Sequence, residues 1–367
     1  MKFVKWTISM VLFLGVVLFA WVVAPADGVL AQESANEACL ACHGQPGMQT
    51  TLPSGEVLYL TVDPEVYNAS VHGQQGMLCV HCHERTSEYP HPPLTVNTRR
   101  ELSLSYYRAS CILCHQDKYD ATLDSVHQIA LAGGDTRAAI CTDCHGTHNI
   151  MPAEGPRSRA SQMCALCHAE IFERYKSSVH GAALIGEGNP DVPGCTDCHQ
   201  VHRIEGPLTG AFHLFSPQIC AECHADPEMM GRYGISTDVF DTYVADFHGT
   251  TVILFQAVAP DQETNKPVCI DCHGVHDMKQ VDDPESAVMK ENLLSTCQKC
   301  HPDATANFPT SWISHYRPDP QHASLVFYIQ LFYEIFIPTL LIGMVLFVAS
   351  DARKRFVDRK NKEQRHG

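Results

Sequence analysis

Two kinds of side chain are scarce in this chain of 367 residues: aromatics make up 8% and charged residues 18%. Positive charge is the scarcer sign, with 26 Lys and Arg against 41 Asp and Glu, a net of −15. That balance excludes the basic surface that general nucleic-acid binding needs. Strand signals are few, and 22 prolines and 23 glycines punctuate the chain. Disorder is excluded as well, because 45% of residues are hydrophobic. What the chain has in excess is 18 cysteines and 22 histidines. So many thiols serve no packing purpose in a plain cytosolic enzyme. The even count alone leaves a disulfide-stapled secreted framework open.

The spacing of the cysteines decides between these. All of them fall in C-x-x-C pairs, and each pair is followed at once by histidine. The nine sites are Cys39, Cys42 and His43; Cys79, Cys82 and His83; Cys111, Cys114 and His115; Cys141, Cys144 and His145; Cys164, Cys167 and His168; Cys195, Cys198 and His199; Cys220, Cys223 and His224; Cys269, Cys272 and His273; Cys297, Cys300 and His301. C-x-x-C-H is the attachment signature of c-type haem. Two thiols three residues apart add to the two vinyl groups of one porphyrin, and the next side chain supplies the proximal imidazole to its iron. A zinc ribbon also uses C-x-x-C pairs but needs no histidine after each. A disulfide framework does not repeat one spacing nine times, and a thioredoxin-like site uses one pair. The sequence therefore predicts nine covalently bound haem c groups.

The two ends predict the compartment. Lys2 and Lys5 precede an uncharged run over residues 7–24, with small residues up to Ala26 and Ala31 as cleavage points. That is a secretory signal pattern; the run is long for one, so a retained N-terminal anchor is the alternative for residues 1–31. Either way, the cysteine-rich region, residues 32–318, is exported. Residues 323–350 are apolar except for Glu334 and a few uncharged polar groups. As a helix they reach about 42 Å, enough to span a membrane with tilt. Residues 351–367 carry seven Lys and Arg against three Asp and Glu, a positive-inside stop signal. The expected topology is a single C-terminal span in the cytoplasmic membrane, a basic cytoplasmic tail and a haem domain on the periplasmic or extracytoplasmic side.

The middle is an internal repeat of four dihaem units and a half. Each full unit runs C-x-x-C-H, a histidine usually in S-V-H, a second C-x-x-C-H and a further histidine. The additional histidines are His72 and His91, His127 and His148, His180 and His202, His248 and His276, and His315 in the half unit. There are nine of them for nine haems, so each iron can take a proximal and a distal imidazole. His91 departs from the spacing of the others. His81, His213, His322 and His366 stand outside the scheme, and His81, within an attachment motif, is a rival for His91. A C-H-x-x-H histidine cannot reach the far face of its own haem, so it is expected to serve a neighbouring one. Short helices are expected around residues 162–178, 237–247 and 284–296. The fold class is mostly α with long loops wrapped around closely spaced haems, and a transmembrane helix.

The alternation of C-x-x-C-H, S-V-H-G and C-T-D-C-H-G-x-H over residues 36–316 resembles the multihaem cytochromes c with doubled C-x-x-C-H motifs. The resemblance implies bis-histidine, low-potential haems in van der Waals proximity that act as an electron wire. With a C-terminal anchor and nine haems, the chain looks like the membrane-anchored cytochrome c subunit of a quinol-linked respiratory complex. Membrane-anchored quinol dehydrogenase cytochromes of the same group carry an N-terminal anchor and fewer haems, which this chain does not match. The function expected is electron transfer between a membrane quinone-interacting subunit and soluble or outer-surface redox partners. The alternative is a reductase or oxidase of a small nitrogen or sulfur compound at one haem with an open position. No C-x-x-C-K variant marks such a site, so no catalytic residue is assigned. A released filament is disfavoured by the anchor. Glu334 within the span predicts a partner, either as a proton acceptor from quinol or as a hydrogen-bonding group for a second helix.

Overall fold

In the computed structural model, residues 36–311, 315–321 and 323–366 are described. The signal or anchor expected over residues 1–31 lies outside them. The described chain is mostly helical, in short pieces. One antiparallel hairpin pairs Gln49–Thr51 with Val57–Tyr59, with Thr50 opposite Leu58.

The helices expected from sequence are present but shorter, each for a local reason. The stretch 162–178 is divided between Arg157–Ala165 and Ala169–Lys176. It breaks at Leu166 to His168, where the attachment turn closes with the bond from His168 N–H to Cys164 O, 2.9 Å. The stretch 237–247 becomes Val239–Ala245, because Asp246 turns extended and caps Phe247–Val258. In 284–296 only Leu293–Gln298 closes this end as a helix. Ahead of it the Asn292 side chain donates to Pro284 O and Ser286 O, at 2.8 and 2.9 Å. Such local side-chain bonds offer the backbone an alternative to the helix.

The chain divides into two compact units, Met1–Glu173 with Leu184–Gly206, and Arg174–Ala183 with Pro207–Gly367. In the first, Leu104, Tyr107, Leu131 and Ile140 form a buried cluster. In the second, Leu214, Tyr243, Val252 and Val268 do so. Ile140 and Val268 each immediately precede the first cysteine of an attachment motif, so each small core fixes the start of one haem-binding turn. Thirteen apolar side chains are buried among the described residues. That is a thin core for this length, and it leaves the interior to something other than side chains.

The last helix runs Ser324–His366. Within Ser324–Arg359 its most apolar 18-residue stretch has a mean hydropathy of 2.2, and none of that stretch is buried in the protein. It is long and apolar enough to cross a membrane. The helix continues through the basic residues rather than stopping at Ser350. Lys and Arg in a final turn suit the partial negative charge of a helix C-terminus.

Candidate functional site

The local grammar of the repeat is a set of caps. In S-V-H, the serine hydroxyl accepts from the backbone N–H three residues on: Ser70 from Gly73, Ser125 from Gln128 and Ser178 from Gly181, at 3.0 to 3.2 Å. Asp246 takes this place in the fourth repeat, accepting from His248 N–H at 3.2 Å. The histidine is thereby fixed in the first turn of a short helix. The glycine after it is required by space. A Cβ at Gly73, Gly181 or Gly249 would collide with the carbonyl oxygen of Tyr67, Tyr175 or Tyr243. Two of these tyrosines reach on with their hydroxyls. Tyr67 donates to Met77 O at 2.6 Å and Tyr243 to Pro267 O at 2.9 Å, each two residues before a motif cysteine.

The attachment motifs are short helices with caps of their own. In Cys141–His145, Cys195–His199 and Cys269–His273, the middle aspartate turns back to accept from the N–H ahead of the first cysteine. The bonds are Ile140 N–H to Asp143, Gly194 N–H to Asp197 and Val268 N–H to Asp271, 2.7 to 2.8 Å. A basic side chain backs each carboxylate: Arg100 on Asp143 at 2.8 Å, Arg157 on Asp197 at 3.6 Å and His213 on Asp271 at 3.0 Å. His81 occupies the aspartate's place in Cys79–Cys82, its Nδ1 accepting from Leu78 N–H at 3.1 Å. Directly after the motif histidine the backbone swings to positive φ at Gly146, Gln200 and Gly274. That reversal carries the next histidine away from the motif's own imidazole.

None of the eighteen cysteines is paired in a disulfide. The first cysteines of the two motifs of one repeat lie side by side: Cys39 with Cys79, Cys111 with Cys141, Cys164 with Cys195 and Cys220 with Cys269.

The imidazoles meet in twos. His43 faces His91, with ring centres 6.1 Å apart; His72 faces His115 at 6.0 Å and His83 faces His148 at 6.0 Å. His127 and His168, His145 and His202, and His180 and His224 are each 6.2 Å apart. His248 and His301 are 6.3 Å apart, and His273 and His315 6.2 Å. Every one of these pairs joins a motif histidine to one of the additional nine. Of the eighteen predicted ligands, His199 lies in the first compact unit and His276 in the second.

The separation is too wide for ring contact and fits a metal between the rings. A metal–imidazole bond of about 2 Å, with each ring centre about 1 Å behind its nitrogen, puts two centres about 6 Å apart. Among the described residues no three or more His, Cys, Asp or Glu converge as a metal cage, whereas structural zinc takes four ligands. Burial lowers the pKa of His72, His83, His127, His145, His148, His202, His224, His273, His276 and His315, and takes His180 down to about 4. These rings are held neutral, the form that binds iron.

The pairs follow a rule. The S-V-H ring of one repeat meets the first motif of the next, as in His72–His115, His127–His168, His180–His224 and His248–His301. The last ring of one repeat meets the second motif of the repeat before, as in His83–His148, His145–His202 and His273–His315. Backbone bonds pin the exchange. Val71 N–H donates to Ile150 O, Val126 to Ile204 and Val179 to Met278, at 2.8 to 3.0 Å. Each joins an S-V-H valine to the residue two beyond a C-H-x-x-H histidine. His43–His91 stands apart, since both rings come from the first repeat.

Residues 138–225 match the model of the cytochrome c3 family. The matched segment contains the motifs at Cys141, Cys164, Cys195 and Cys220. The match supports the class of multihaem electron-transfer cytochromes, which bind haem c covalently.

Proposed function

We propose that the chain is a membrane-anchored nonahaem cytochrome c that conducts electrons between a quinone-interacting membrane subunit and soluble or outer-surface redox partners. The observation that carries the reading is the set of imidazole pairs at 6.0 to 6.3 Å. Haem c supplies one-electron transfer at each iron. The eighteen motif cysteines hold the porphyrins, and the motif histidines with His72, His91, His127, His148, His180, His202, His248, His276 and His315 are the axial ligands. Two imidazoles leave an iron no position for a substrate, which favours conduction over catalysis. The thiol contacts within each repeat support close spacing of its two attachment edges.

The helix Ser324–His366 is the anchor, with the basic tail on the cytoplasmic side and the haem region outside. Gln330 donates to Glu334 at 2.8 Å along this helix. This polar pair, four residues apart, lies within the apolar span, where such groups face protein or water. It is the place where a quinone-interacting partner helix packs. The acidic exported region, −21 over residues 6–350, favours a basic redox partner.

Intact mass and electron paramagnetic resonance of the oxidised, membrane-extracted protein test the reading together. Nine haem masses and only low-spin signals are expected. A lower haem number, or several high-spin centres, overturns it.

A further inference from the structure

His91 is held unlike any other additional histidine. It is exposed, while His72, His127, His148, His180, His202, His248, His276 and His315 are all half-buried. Those in S-V-H sit on capped helical turns, pinned to the following repeat by the valine bonds. His91 lies in residues 87–98, which form neither helix nor strand and are interrupted by Pro90, Pro92 and Pro93. Its ring partners are in the same loop: Nδ1 bonds Glu88 O at 2.7 Å, and the ring meets Tyr89 edge-on at 5.9 Å. Tyr89 is itself 89% exposed. The opposite ring is well fixed, His43 Nδ1 bonding Leu60 O at 2.9 Å, beside the hairpin.

The repeat explains the difference. A first motif takes its second ring from the S-V-H of the repeat before, and residues 1–38, ahead of the motif at Cys39, contain no S-V-H. His91 fills the vacancy from an irregular loop. Moving His127 or His180 breaks a cap and a backbone bond to another repeat; moving His91 and its loop breaks neither.

Resting on the nonahaem reading, we propose that the iron between His43 and His91 is a ligand-exchange site, which takes a small π-acceptor such as carbon monoxide or nitric oxide when ferrous. His91 swings outward with its loop. The iron–Nε2 bond breaks with both electrons returning to the ring, and the lone pair of the incoming ligand forms the new bond. The ring leaves neutral, its Nδ1–H still on Glu88 O, so no proton or redox equivalent is needed. The exchange gives the chain one position for sensing or binding a diatomic gas, at the end of the haem series.

The test is carbon monoxide addition to the dithionite-reduced, full-length protein in detergent, followed in the Soret band, with the haem number of the same sample taken from intact mass. The expected result is one carbon monoxide per chain, with a rate that saturates as gas concentration rises because departure of His91 becomes limiting. His91→Ala should still bind one per chain, with a rate linear in gas concentration. His127→Ala should bind two, one slow and one fast. No binding by the parent protein overturns the proposal, as does a second site appearing in His91→Ala, which would place the parent's site at another iron. A haem number other than nine is the separate failure of the nonahaem reading.

Discussion

A half-buried imidazole that is held neutral and faces a second ring across about 6 Å fits the proposed shared iron. His180 is the clearest instance, pushed down to about 4 by burial and set 6.2 Å from His224. His180→Ala should leave one iron with a single protein ligand. The expected outcome is one high-spin signal beside eight low-spin haems by electron paramagnetic resonance. A spectrum that stays wholly low-spin removes His180 from the ligand set. The tyrosines work at the same scale. Tyr243→Phe strips Pro267 O of its donor, and an unsatisfied buried acceptor costs about 1 to 3 kcal/mol. The midpoint of chemical denaturation should fall accordingly, with the haem number unchanged.

At the scale of the element, strain and ligand exchange become visible. Gln200 adopts φ 64° and ψ −178° after the motif Cys195–His199, where Gly146 and Gly274 stand in the equivalent turns. That region is favourable only for glycine, and a side chain there costs about 1 to 3 kcal/mol. Gln200→Gly should therefore raise the thermal midpoint, and a lowered midpoint would show the side chain to be needed. The ring pairs cross from repeat to repeat, which makes a second prediction. His127→Ala should produce a high-spin centre that disappears when Cys164 and Cys167 are also changed to Ser, because that haem is then lost. The same signal should survive Cys111→Ser with Cys114→Ser. The opposite pattern would assign His127 to its own repeat.

For the whole molecule, the question is which side of the membrane each end occupies. The apolar helix has no buried face within the protein, and its basic end follows directly. In right-side-out vesicles trypsin should leave Lys354 and Arg355 uncut. In inverted vesicles it should cleave there and spare the haem region. Cleavage in right-side-out vesicles would reverse the topology.

Much of the candidate site was legible in order along the chain. C-x-x-C-H is covalent geometry over five consecutive residues, so the proposed attachment points and proximal rings, and the class that the family match supports, were readable from spacing alone. The repeat marked the additional histidines, and one apolar run at the C-terminal end marked the candidate span. Other features gave little signal because their cause lies elsewhere in the chain. The serine, glycine and aspartate of the recurring motifs are caps and close approaches to distant carbonyls. His81 read as a rival ligand and is a cap, since its ring turns back onto Leu78 N–H. The helix expected over 284–296 yielded to side-chain bonds from Asn292. Above all, which ring faces which was decided by tertiary structure. His127 and His168 lie 41 residues apart, and only the docking of one repeat on the next, through Val126 and its equivalents, brings such rings to about 6 Å.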